Sequence, residues 1–167
     1  MSKKQLSMRK GDFVVYPTHG VGKVLGLEDQ EISGHKLQVI MIIFEQDRLT
    51  LRVPVNKAQS LGLRKLSSTD EMKDAVQTLK GKSRVRRTMW SRRAQEYETK
   101  INSGNPIAIA EVVRDLFRNH EQPEQSYSER QLYQAALGRL AREYAAVNDM
   151  DEQEATSQLE AAMGKAA

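Results

Sequence analysis

The 167-residue sequence contains no cysteine. Disulfide scaffolds, thiol nucleophiles and thiolate metal sites are excluded together, and a reducing compartment suits such a chain. Long apolar runs are missing as well: the longest, Val39 to Phe44, has six residues, too few to cross a bilayer. A mean hydropathy of −0.62 agrees. Residues 1–10 supply positive charge, but no apolar segment of signal-peptide type follows them, so a cytoplasmic location without membrane association is expected.

Histidine is scarce and scattered. His19, His35 and His120 have no second histidine or carboxylate at ligand spacing, so neither a zinc site nor a catalytic triad is signalled. Gly20, Gly22 and Gly26 are spaced G-x-G-x-x-x-G and are followed by strand formers. Without a following helix there is no N-terminus to cradle a phosphate, and turn and bend glycines are the simpler reading. No cofactor or metal is expected, and the chain does not read as an enzyme.

Charge is present and unevenly spread. The formal net charge is only +4. Residues 1–65 hold 11 basic and 6 acidic side chains, residues 66–120 hold 11 and 7, and residues 121–167 hold 4 and 9. Such a distribution gives a basic surface for a polyanion and an acidic end that stays off it.

The first third has the pattern of short strands punctuated by turns. Strands are expected over Gly11–Tyr16, Val21–Glu28, Lys36–Glu45 and Arg48–Val53, with turns at Pro17–Gly20 and Ser33-Gly34. In the fourth, Leu49, Leu51 and Val53 share one face while Arg48, Thr50 and Arg52 share the other. Pro54 ends it. A small barrel or strongly bent sheet is the expected closure.

From Ser67 the period becomes helical, placing a boundary near Leu66, with a β domain over 1–66 and a helical domain over 67–167. Ser68 and Glu71 have capping-box spacing ahead of Met72, Ala75, Val76 and Leu79, and Gly81 stops that helix. A second helix is expected over Thr88–Ser103, with Trp90, Ala94, Tyr97 and Ile101 in one stripe and Gly104 as its stop. Asn105 and Pro106 open a third, with Ile107, Ala110, Val113 and Phe117 on its inner face. After a polar loop from His120 to Tyr127, Ser128 and Gln131 open a fourth, with Leu132, Ala136, Leu140 and Tyr144 inward. Asp151 and Glu154 open a fifth, and the tail from Met163 is expected to fray. The fold class is α+β, a small β barrel or sheet followed by an all-helical domain of about five helices.

Gly81 to Arg93 is the strongest local signal: Lys82, Arg84, Arg86, Arg87, Arg92 and Arg93 follow one another with no acidic residue between them. Trp90, the only tryptophan, lies inside the run. If the helix begins slightly before it, Arg86, Arg87 and Arg93 stand at i−4, i−3 and i+3 on or beside its face. Two readings stay open. Trp90 begins an apolar helix stripe and suits a core; an aromatic ringed by arginine also suits a wedge against an unstacked base step, with the arginines on phosphates.

At these residues the sequence resembles the CarD/CdnL family of bacterial RNA polymerase-binding transcription regulators. The stretches GDFVVYPTHGVG (11–22), LTLRVPV (49–55), TMWSRR (88–93) and AEVVRDLFR (110–118) carry the resemblance in order and spacing across nearly the whole chain. It implies a Tudor-like N-terminal domain that grips the RNA polymerase β subunit. It also implies a helical domain that contacts promoter DNA in the minor groove at the upstream fork of the bubble. The family's tryptophan falls on Trp90, its basic neighbours on Arg92 and Arg93, and the polymerase-binding arginine of its R-V-P element on Arg52, beside Pro54. Where some members carry a basic residue before the third strand this chain has Gln30, and Arg48 is a candidate substitute.

The N-terminal domain also resembles the polymerase-interacting module of transcription-repair coupling factors, but no helicase motor follows it. The expected protein is a monomer that stabilises the open promoter complex without reading sequence. The alternative is a general nucleic-acid-binding module acting on RNA or duplex DNA without polymerase.

Overall fold

Turn residues cut the first part of the chain into five antiparallel strands: β1 (Phe13–Tyr16), β2 (Gly20–Ile32), β3 (His35–Phe44), β4 (Leu49–Pro54) and β5 (Arg64–Lys65). The computed structural model describes residues 9–84, 88–118 and 122–166. The chain divides into two compact units, Met1–Leu66 and Ser67–Ala167.

The sheet order is β4-β3-β2-β1-β5, leaving β4 and β5 at the edges. Ser33 and Gly34 both adopt positive φ, 53° and 80°, and form the tight β2–β3 hairpin that a two-residue turn of this handedness makes. The sheet bends where the β2–β3 register shifts between Val24 and Gly26. Val14, Val24, Ile40, Ile42, Phe44 and Val53 fill one face with Ala58 and Leu63. Gly22 is a packing requirement of that face, because a Cβ there would lie 2.6 Å from Ile42 Cγ2 and 2.7 Å from Phe44 Cε1. His19 stacks beside Tyr16 and Phe44, with ring centroids 5.7 and 5.2 Å away, and so belongs to the turn's packing.

β4 keeps the expected alternation from Leu49 to Val53, but Arg48 is not part of it. Arg48 occupies the preceding turn with φ 50°, so it does not share the ladder geometry of Arg52. The sequence pattern also passed over β5, two residues long, and the short 3-10 turn Val55–Lys57, both below the length at which a period shows.

The second unit has five helices: α1 (Thr69–Lys80), α2 (Trp90–Asn102), α3 (Pro106–Leu116), α4 (Tyr127–Asn148) and α5 (Glu152–Ala166). The Ser68–Glu71 capping box forms in both directions. Asn105 caps α3 through Ile107 and Ala108 N–H, with Pro106 at its start. Gly104 takes φ 71° just beyond α2, the left-handed stop that glycine supplies at least cost.

Gly81 stops α1 as expected, in an extended conformation (φ −73°, ψ 170°). Three expectations need correction. The α3 face is rotated: Ile107 is 40% exposed, while Ile109, Ala110, Val112, Val113 and Leu116 are buried, because α3 packs against α1, α2 and α4 together. α4 is capped by Ser126, which accepts from Glu129 N–H, and not by Ser128; two serines at neighbouring positions made the sequence ambiguous. Met163 is 4% exposed and sits in the helical core, so the C-terminal tail does not fray at that point.

Candidate functional site

The basic run links α1 to α2, and what holds it is a buried carboxylate at the end of α3. Asp115, 4% exposed, accepts Arg84 N–H at 3.0 Å and Arg114 Nε–H at 2.9 Å on the same Oδ1. Ser83 Oγ–H donates to its backbone carbonyl at 3.5 Å. A buried carboxylate is tolerable only when paired and hydrogen-bonded, so this cluster ties the linker main chain to α3.

Trp90 is the first residue of α2. That start lies two residues after the expected Thr88, and Arg86 and Arg87, expected at i−4 and i−3, lie outside the described residues. Arg93 fulfils the i+3 spacing. Its guanidinium lies 5.3 Å from the Trp90 ring centroid and 5.8 Å from that of Tyr97, and one Nη donates to the Tyr97 hydroxyl at 3.3 Å. Trp90 and Tyr97 are 6.2 Å apart, tilted by 51°. Trp90 is half-buried and packs against the helical core. Trp90 thus packs against the helical core and is also in cation–π contact with Arg93.

Arg84, Arg92, Arg93, Lys100 and Arg114 line an open groove of about 800 Å³ between α2 and α3. Glu111 pairs with Lys100 at 3.2 Å and Asp115 with Arg114 at 2.9 Å. Among the described residues no carboxylate lies within salt-bridge distance of the exposed Arg84 and Arg92. These two guanidiniums are available to an anionic partner.

On the first unit, Arg52 projects from edge strand β4 with its Nε 3.8 Å from Glu28 Oε2 of β2. Pro54 is the last residue of β4, opposite Val39. Gln30 lies in β2, opposite Leu37. Tyr133, on α4, has its phenol pushed well above the ordinary range by burial and then by the Glu160 carboxylate, so it stays a neutral donor. Among the described residues no group of three His, Asp or Glu could hold a metal ion, and no helix is long and apolar enough to cross a membrane.

Sequence reasoning missed two residues here. Asp115 carries a signal in hindsight, an acidic side chain three residues after Val112, among the apolar positions of its helix. Met89, directly before Trp90, is 77% exposed and carried none.

The CarD-like/TRCF RID domain model, describing an RNA polymerase-interacting domain shared with transcription-repair coupling factors, matches residues 8–67. The CarD C-terminal domain model matches residues 74–160. A Bacillus subtilis (strain 168) protein named "Putative transcription factor YdeB" is 27% identical over 147 residues, spanning 88% of this chain and 96% of that protein. Two solved structures from Myxococcus xanthus are each 34% identical over 39% of this chain, with TM-scores of 0.31. They are CdnLNt, covered over 92% of its length, and the 72-residue N-terminal domain of CarD, covered over 89%. With the two family models following one another along the sequence, the chain belongs to the CarD-like family of transcription factors.

Proposed function

We propose that the chain regulates transcription by holding RNA polymerase and promoter DNA at once, stabilising the open complex without sequence-specific readout. The observation that carries this reading is the start of α2. There Trp90 contacts Tyr97 and Arg93, and Arg84 and Arg92, which have no salt-bridge partner among the described residues, line the neighbouring groove with Arg93 and Tyr97. An aromatic wedge with flanking arginines suits a partly melted minor groove, where part of the unstacking cost has already been met. The upstream fork of the bubble is such a place, and Arg86 and Arg87 belong to the same basic run of the sequence.

The other hand is β4. An edge strand offers unpaired main-chain groups to a partner strand, and Arg52 and Pro54 lie on it. The polymerase-interacting class of this domain supports the β subunit as its partner, with Arg48 in the preceding turn as a secondary contact. Tethering through β4 raises the effective concentration of the α2 wedge at the fork, so weak intrinsic affinity for DNA suffices. The protein acts as a monomer in the cytoplasm, where polymerase carries it to the nucleoid.

The test is binding to a β-subunit fragment and, separately, to forked duplex DNA. The reading requires that Arg52→Glu abolish the first and leave the second intact, and that Trp90→Ala do the reverse. Tight duplex binding in the absence of polymerase would instead favour a free-standing nucleic-acid module.

A further inference from the structure

Met89 has the most exposed large apolar side chain among the described residues, at 77%. It belongs to neither apolar core, so folding makes no use of its thioether. Its backbone, by contrast, is fixed. The Met89 carbonyl accepts N–H donors from Arg92 and Arg93, both at 3.1 Å, and its φ of −57° and ψ of 139° project the residue off the start of α2.

Behind it, Trp90 is only partly buried: it packs against the helical core and Tyr97, and the Arg93 guanidinium lies 5.3 Å from its ring centroid. A side chain that enters a base step must present apolar surface that is still free, and at the start of α2 Met89, 77% exposed, presents more of it than the partly buried Trp90. We infer that Met89 is the leading apolar contact on DNA, the tip of a two-residue wedge whose shoulder is Trp90. This assignment rests on the DNA contact proposed above. A thioether suits the position because it is unbranched and adapts to an irregular gap, and methionine is among the side chains that wedge into minor-groove steps. Arg84 and Arg92, on either side in sequence, supply the phosphate contacts that hold such a tip in place.

The experiment measures the lifetime of open complexes formed by bacterial holoenzyme on a ribosomal RNA-type promoter, with the full chain as wild type, Met89→Ala, Met89→Leu or Trp90→Ala. Met89→Ala shortens the chain-dependent lifetime roughly 5- to 20-fold, as expected from losing most of one buried apolar side chain, and Met89→Leu retains most of it. Thermal unfolding of both Met89 variants matches wild type, which separates the effect from folding. A Met89→Ala lifetime equal to wild type, beside a shortened Trp90→Ala lifetime, overturns the inference and leaves the DNA contact standing. A wild-type chain that does not lengthen the lifetime overturns both. A benzophenone amino acid at position 89 that cross-links to promoter DNA at the upstream fork supports the tip; cross-linking to polymerase alone refutes it.

Discussion

Arg52 of β4 reaches across β3 toward Glu28 of β2, its Nε 3.8 Å from Oε2, and both side chains stay open to solvent at 56% and 44% exposure. A pair this exposed contributes little to folding, so its meaning lies in what it offers a partner. Arg52→Glu should leave the unfolding midpoint within a few degrees of wild type while removing binding to the β subunit, a comparison for calorimetry and a pull-down. Glu28→Gln frees the guanidinium from its internal competitor. Its association rate with the β subunit should rise, most visibly at low salt.

Asp115 behaves differently because it is buried. Removing it as Asp115→Ala leaves the Arg84 N–H and the Arg114 guanidinium without their shared acceptor, which should destabilise the protein by roughly 3–5 kcal/mol. Asp115→Asn keeps an acceptor but loses the charge, and should cost less. Denaturant unfolding of the two variants checks the order; equal stability of wild type and alanine variant would contradict the tethering role.

Gly22 faces Ile42 and Phe44 too closely for any side chain. Gly22→Ala should destabilise the sheet by roughly 1–3 kcal/mol, since the core must shift to admit the methyl group. An unaltered unfolding curve would count against this packing.

Salt dependence distinguishes cations that touch phosphate from those that do not. Arg84→Ala and Arg92→Ala should each lower the slope of log affinity for forked DNA against log salt by about one. Lys100→Ala should change it less, because Glu111 already neutralises that side chain at 3.2 Å.

The elements with a sustained period were legible in sequence. The alternation of Leu49, Leu51 and Val53, the Ser68–Glu71 box and the Asn105-Pro106 start all formed as their spacing indicated. What was not legible depended on partners distant in sequence. Ile107 fits an inner face by spacing, but α3 is packed from three sides and its buried arc is set by α1, α2 and α4. The start of α2 mattered most: it falls at Trp90, two residues after the expected Thr88, and leaves Met89 exposed ahead of it. Met89 carries no cap signal, so no local rule marked that start.

The central claim is that the two units act on one complex, through Arg52 and through Trp90. The most direct measurement is permanganate reactivity of melted thymines, followed over time after challenge, in complexes carrying wild-type chain, Arg52→Glu or Trp90→Ala. The account predicts a longer open-complex lifetime with wild type, lost in Arg52→Glu and shortened about 5- to 150-fold in Trp90→Ala, the equivalent of one stacking contact of about 1–3 kcal/mol. A lifetime that is unchanged by wild type, or lengthened equally by both variants, would contradict it.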